Sequence, residues 1–81
     1  MREKGEILSV GLGLDEEDWN MLLANKVVIK EFRAADPLFR ERDVIFVVGP
    51  DYDRVSAKVE KLIQNPDQPA LWKVWLVKVD L

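Results

Sequence analysis

The sequence predicts a small α+β domain, and three observations lead to that fold class. The chain has 81 residues, enough for one domain but too few for a second hydrophobic core. Its hydrophobic fraction of 48% and charged fraction of 33% are typical of a folded, soluble chain. One segment carries the signals of an amphipathic helix, whereas the other apolar segments are short, as strands are. We therefore expect residues 1–81 to form a single domain.

The first strand and the helix are predicted from the first third of the chain. In "EILSVGLGL", residues 6–14, apolar residues alternate before two glycines, which predicts a short strand that ends in a turn. In "LDEEDWNMLLAN", Asp15 can cap a helix whose acidic first turn suits the helix dipole. Leu14 and Trp19 have the spacing of a hydrophobic staple. Asn25 can end the helix in a left-handed conformation.

The next predicted strand, "NKVVIKEFR" at residues 25–33, is unusual because charged residues are interspersed with its apolar ones. Side chains alternate between the two faces of a strand. We expect Val27 and Ile29 to point into the core. Glu31 and Arg33, which have the same parity, would then lie at the rim of that core.

The second half of the chain contains two clear strands and one ambiguous segment. "DVIFVVG" is apolar on both faces, as in the middle of a sheet, and follows a link in which Pro37 interrupts any ladder. Residues 54–63, "RVSAKVEKLI", match a helical and a period-two pattern equally well. "LWKVWLVKVDL" predicts a final strand, with Trp72 and Trp75 as core anchors.

The ambiguous segment leaves two architectures open. If residues 54–63 form a strand, the order β-α-β-β-β-β suits a small closed barrel with one packed helix, because closure removes exposed sheet edges. If they form a helix, the order β-α-β-β-α-β is that of a ferredoxin-like sandwich. We favour the barrel.

Composition excludes several kinds of function. The chain has neither Cys nor His, which removes disulfides, Cys-ligated zinc and most hydrolytic triads. The acidic run Asp15–Asp18 is explained by helix capping, so we expect no metal and no other cofactor. No apolar run is long enough for a membrane span, and "MREKGEILSV" lacks the apolar core of a secretory signal. We expect a cytoplasmic protein that does not bind membranes.

The order of these segments resembles the ASCH family, which belongs to the PUA-like barrel superfamily. The residues that carry the resemblance are Trp19 on the helix, Asn25-Lys26 in the turn, Glu31-Phe32-Arg33 on the strand, and Phe39 and Asp43 before "VIFVV". Asn25 and Arg42 occupy positions where that family typically has glycine. The resemblance implies a PUA-like, ASCH-type β-barrel with one helix and a ligand cleft beside the turn.

The resemblance also implies a ligand. ASCH proteins are associated with RNA or modified-nucleobase recognition, so we expect RNA or a nucleotide derivative to bind near the Lys26 turn. Glu31 would accept from a base, whereas Arg33, with Arg40 or Arg42, would clamp a phosphate. Residues 26–42 carry five basic and three acidic side chains and are the only locally basic segment. The sequence assigns no catalytic residue and favours a binding protein over an enzyme.

Two other interpretations need no nucleotide. The charges of residues 25–33 also suit a solvated edge strand, since charges discourage edge-to-edge pairing of sheets. The net charge of −3 also suits a small acidic modulator or inhibitor of another protein, such as a phage-encoded one. Its contact would be the helix face from Asp15 to Met21.

Overall fold

One helix and five strands form the fold. The computed structural model describes residues 8–80, with side chains from residue 12 onward. In chain order its elements are β1 (Leu8–Gly13), α1 (Glu16–Leu23), β2 (Val28–Arg33), β3 (Val44–Val48), β4 (Arg54–Gln64) and β5 (Leu71–Lys78). The strands form a single curled sheet, a half barrel, in the order β1-β3-β4-β5-β2. The α+β class is confirmed, and residues 6 and 7 of the predicted first strand lie outside the described residues.

The ambiguous segment is a strand. Residues 54–64 form β4, which pairs with β3 on one side and β5 on the other, both antiparallel. A bulge between Val59 and Lys61 shifts the register. Such a bulge lets a long strand bend around the curve of the sheet. The ferredoxin-like alternative is therefore wrong, because it requires a helix here.

The sheet is curled without being a closed barrel. β1 pairs in parallel with β3, and β2 pairs antiparallel with β5, so β1 and β2 form the two edges of the sheet among residues 8–80. The expected closure is thus not reached. Helix α1 connects the two edge strands along the chain and packs against β2 and β5. It therefore occupies part of the gap between the edges that further strand pairing would have closed.

Helix α1 begins and ends as its sequence predicts. The Asp15 carboxylate accepts a hydrogen bond from the Asp18 N–H at 2.8 Å. At the other end, the N–H groups of Asn25 and Lys26 donate to the carbonyls of Leu22 and Met21, both at 3.0 Å. These two bonds form a Schellman motif, which needs a left-handed residue after the helix. Asn25 has φ 62°, so the predicted left-handed terminator is confirmed.

Helical membrane crossing takes about 20 apolar residues. No helix among residues 8–80 has that length and apolarity.

The core lies on the concave side of the sheet. Its buried members are Leu14, Leu22, Val28, Phe39, Ile45, Val47, Ala57, Val59, Val74 and Leu76. Strand directions place α1 at one end of this core, where β1 ends and β2 begins, which we call the helix end. The opposite end, where β2 ends and β4 turns into β5, is the loop end.

The segment between β2 and β3, residues 34–43, covers the loop end of the core. Phe39 is buried, and its ring centroid lies 5.4 Å from that of Phe32. The segment bonds to β4 just before the first residue of β3, where the Val59 N–H donates to the Asp43 carbonyl at 2.8 Å. The Leu62 N–H, past the bulge, donates to the Glu41 carboxylate at 3.1 Å. Residues 41–43 of this loop thus continue the hydrogen bonding to β4 where β3 no longer reaches it.

The predicted parity of β2 is wrong by one residue. Val28 is fully buried, whereas Val27 and Ile29 are 47% and 52% exposed. The register explains the shift, since Val28 lies opposite the buried Leu76. Glu31 shares the parity of Ile29 and therefore lies on the convex side of the sheet, not at the rim of the core.

Candidate ligand-binding face

The convex surface of β2, β4 and β5 points away from the core, and we call it the outer face. The register brings Ile29, Trp75 and Lys61 side by side across these three strands. The Lys61 ammonium lies 5.2 Å from the centroid of a Trp75 ring, which is the geometry of a cation–π contact. An indole and a cation are therefore displayed together on the open surface.

A second row crosses the outer face nearer the loop end. Glu31 lies opposite Lys73 on β5, which in turn lies opposite Ile63 on β4. Arg33 lies opposite Leu71 at the end of β2. Side chains directly opposite in an antiparallel pair have Cβ atoms roughly 4.5–5.5 Å apart. This row therefore holds a carboxylate beside an ammonium, and the guanidinium of Arg33 lies two residues further along β2.

An open groove of about 190 Å³ lies over this second row. Its lining residues are Glu31, Ile63, Gln64, Asn65, Pro66, Leu71, Trp72 and Lys73. The β4–β5 connection forms one wall, and the floor comes from the strands. The Trp72 indole, which has the core parity of β5, donates its N–H to the Ala34 carbonyl at 2.9 Å and so ties β5 to the segment that follows β2.

Five of the seven basic residues on β2, β4 and β5 face the convex side of the sheet, although the whole chain has a net charge of −3. The other two, Lys30 and Lys78, have the opposite parity. The outward-facing basic residues of β2, β4 and β5 are Arg33, Arg54, Lys58, Lys61 and Lys73. Among acidic side chains on these strands, Glu31 faces outward and Glu60 lies at the bulge, 3.8 Å from the Lys58 ammonium. Many other acids lie at the helix start, in turns and in connections: Asp15, Glu16, Glu17, Asp18, Asp36, Glu41, Asp43, Asp51, Asp53, Asp67 and Asp80. The outward charges of these strands are thus mainly basic, whereas most acidic side chains lie outside the strands.

The structure brings together only part of the predicted ligand-binding set. Glu31 and Arg33 are neighbours on the outer face near the loop end. Lys26 precedes β2 at the helix end, seven residues from Arg33 and so roughly 20 Å away along an extended chain. Lys26 does not line the groove. The turn at Asn25 therefore does not deliver Lys26 to the groove. Arg33 is also absent from its lining, so Glu31 is the one member of the predicted set that lines the groove.

The two remaining predicted arginines lie in the segment that covers the loop end. The Arg40 guanidinium donates to the carbonyls of Pro37 at 2.6 Å and Phe39 at 3.1 Å, and it also lies 3.4 Å from the Asp36 carboxylate. Arg40 thus stabilises its own loop. Arg42 has an exposed side chain, a left-handed backbone with φ 74°, and an N–H that donates to Val59.

Sequence reasoning missed three residues of the outer face, namely Lys61, Lys73 and Trp75. It placed both tryptophans in the core, but Trp75 has the parity of Lys73 and faces outward. Trp72 shares the parity of the buried Val74 and Leu76 and is half-buried on the core side. A signal was available, because Lys73 has the same parity as Trp75. A lysine at that parity indicates a solvent-facing row.

Within residues 8–80 no three acidic side chains are grouped as a metal ion would require. Comparison with known proteins yields no match, since no family model, curated sequence or solved structure shows significant similarity to this chain.

Proposed function

We propose that the protein binds RNA, or a nucleotide or modified-nucleobase derivative, on its outer face. The observation that carries this proposal is that basic side chains surround the exposed ring of Trp75 on one open sheet surface of a chain with a net negative charge. Phosphates are bound by Lys and Arg, and unpaired bases stack on aromatic rings without requiring a particular sequence. A single-stranded ligand suits this combination best.

Each group on the outer face has a role in this proposal. Arg33 can hold a phosphate with two parallel hydrogen bonds, while Lys61 contributes a point charge. Trp75 offers a stacking surface, with the Lys61 ammonium beside it. The proposal is one of binding and assigns no catalytic residue.

The resemblance to ASCH proteins belongs to the same proposal. A strand at residues 54–64 and one helix after β1 fit such a fold better than a ferredoxin-like one. Asn25 and Arg42, which replace typical glycines of that family, have φ 62° and 74°. Glycine adopts such angles without steric cost. The proposed site lies on the outer face, away from the Lys26 turn.

The test is a fluorescence anisotropy titration with a labelled single-stranded RNA of mixed sequence at increasing salt. We expect binding at low salt that weakens steeply as salt rises. The slope of log affinity against log salt is negative, and removal of one phosphate contact should reduce its magnitude by about 0.7. Arg33→Ala and Lys61→Ala should each weaken binding and show that reduced slope.

Lys26→Ala is the matched control, because it removes the same charge from an exposed position at the opposite end of β2. It should leave affinity and slope close to those of the original protein. Equal losses in Lys26→Ala and Lys61→Ala would mean that binding responds to net charge and not to the outer face. Absence of binding at low salt would refute the proposal.

A second candidate function is favoured by the acidic start of α1. Asp15, Glu16 and Glu17 are exposed, and no basic residue balances them in the last turn of the helix. A protein with a basic docking surface could bind the face from Asp15 to Met21, as a target of a small modulator would. Failure to bind any RNA at low salt would favour this candidate.

A further inference from the structure

The groove over the second row carries an inference about which base binds, and this inference rests on the proposed RNA binding. Several polar groups of its walls are already occupied. The Gln64 amide donates to the Pro69 carbonyl at 2.8 Å. The Asn65 side-chain oxygen accepts from the N–H groups of Asp67 and Gln68 at 2.8 and 3.0 Å. These bonds shape the β4–β5 connection and fix one wall.

The charged groups of the groove differ from these polar groups in their hydrogen bonding. Within residues 8–80, neither the Glu31 carboxylate nor the Lys73 ammonium takes part in an ion pair or a side-chain hydrogen bond. The two residues are direct cross-strand neighbours on β2 and β5. The groove therefore presents one cationic donor beside two anionic acceptor atoms, all available to a ligand.

This order of groups matches one nucleobase best. The Watson–Crick edge of guanine presents the acceptor O6, then the donors N1–H and N2–H, so it can use the ammonium and both carboxylate oxygens. Adenine and cytosine each offer an amino donor beside a ring-nitrogen acceptor and can make only two such contacts. Uracil offers a single donor between two acceptors, one of which would face the carboxylate.

We propose that the groove binds a guanine base of single-stranded RNA. Glu31 accepts from N1–H and N2–H, and Lys73 donates to O6. The apolar surfaces of Ile63 and Leu71, which line the groove and have the outward parity of Lys73, contact the base. The remaining basic residues of the outer face bind the flanking phosphates without regard to sequence.

The test uses uridine-rich single-stranded RNAs that differ at one central position, which is guanosine, inosine or adenosine. We expect adenosine to bind about tenfold more weakly than guanosine, because contacts to charged groups are the strong ones. Inosine, which lacks the N2 amine, should lie between them. Glu31→Gln should bring all three RNAs to within about twofold of one another, since a neutral amide loses the charge-assisted contacts.

Glu60→Gln is the matched control, because it removes an exposed carboxylate from β4 outside the groove and should keep the preference for guanosine. Equal binding of the three RNAs by the original protein would overturn the guanine site while leaving the proposed RNA binding intact. The same conclusion would follow if Glu31→Gln strengthened all three RNAs equally and preserved their order. Absence of RNA binding would overturn both proposals.

Discussion

At the scale of single residues, three positions within residues 8–80 combine a side chain with a left-handed backbone. Asn25 has φ 62°, Arg42 has φ 74° and Tyr52 has φ 64°. Asn tolerates this region better than most residues, and Asn25 uses it to end α1. Tyr52 is 86% exposed at the tip of the β3–β4 turn, where its N–H donates to the Gly49 carbonyl. Arg42 is held by its hydrogen bond to Val59, so its strain is set by the tertiary structure.

The strain at Arg42 predicts a stabilising substitution. Arg42→Gly should raise the free energy of unfolding by about 0.5–1 kcal/mol, because glycine relieves the left-handed conformation at some cost in unfolded-state entropy. In a domain of this size the thermal midpoint should rise by roughly 2–8 °C. Thermal unfolding followed by circular dichroism measures this change.

Arg42→Ala is the control for the lost charge and side chain. It keeps the Cβ atom and hence the strain, so its midpoint should stay near that of the original protein. If Arg42→Ala stabilised the protein as much as Arg42→Gly, repulsion between charges would be the cause instead of the backbone.

At the scale of elements, the contact between α1 and the β3–β4 turn depends on a glycine. A Cβ atom added at Gly49 would lie 2.6–2.9 Å from three ring atoms of Trp19, closer than real Cβ contacts. Trp19 is the partly buried aromatic of the predicted staple and packs against the core. The turn and the helix can therefore approach this closely only because residue 49 has no side chain.

Gly49→Ala should destabilise the protein by about 1–3 kcal/mol, since an extra methyl group in a packed contact forces the ring or the turn to move. Gly13→Ala is a matched control, because a Cβ atom there meets nothing within 4 Å. Urea unfolding measures both variants. The penalty of Gly49→Ala should shrink in a Trp19→Leu background, and an unchanged penalty would show that the ring is not the obstacle.

The elements also show how far sequence patterns reach. The cap at Asp15 and the terminator at Asn25 were predictable, because both depend on groups within a few residues along the chain. The parity of β2 was not, because Val27 and Val28 are equally apolar and only pairing with β5 decides which is buried. β4 was ambiguous because its bulge, which pairing reveals, interrupts a strict alternation.

At the scale of the whole molecule, a helix covers one end of the core and an irregular segment covers the other. The helix end is covered by Leu22 of α1, and the loop end by Phe39 from a segment without regular structure. Phe39 is 3% exposed, whereas its neighbour Leu38 is 76% exposed. Phe39 and the buried Pro37 therefore anchor the segment to the core, and the hydrogen bonds to β4 hold its far end.

Phe39→Ala should cost about 3–5 kcal/mol, a large fraction of the stability of so small a domain. Leu38→Ala, the adjacent control, should change stability by no more than about 0.5 kcal/mol. Chemical unfolding at one temperature compares the two variants. Similar small effects in both would mean that the segment is not part of the cooperative core.

The sequence by itself determined the α+β class, the ends of the helix, the interior position of β3 and the charged character of β2, because these follow from local conformation and composition. The tertiary structure alone decided that residues 54–64 are a strand and that the sheet remains a half barrel. It also decided that Glu31 lies beside Lys73 and not beside Lys26. The physical reason is that strand register is set by partners distant in the chain, and a shift of one residue exchanges the two faces.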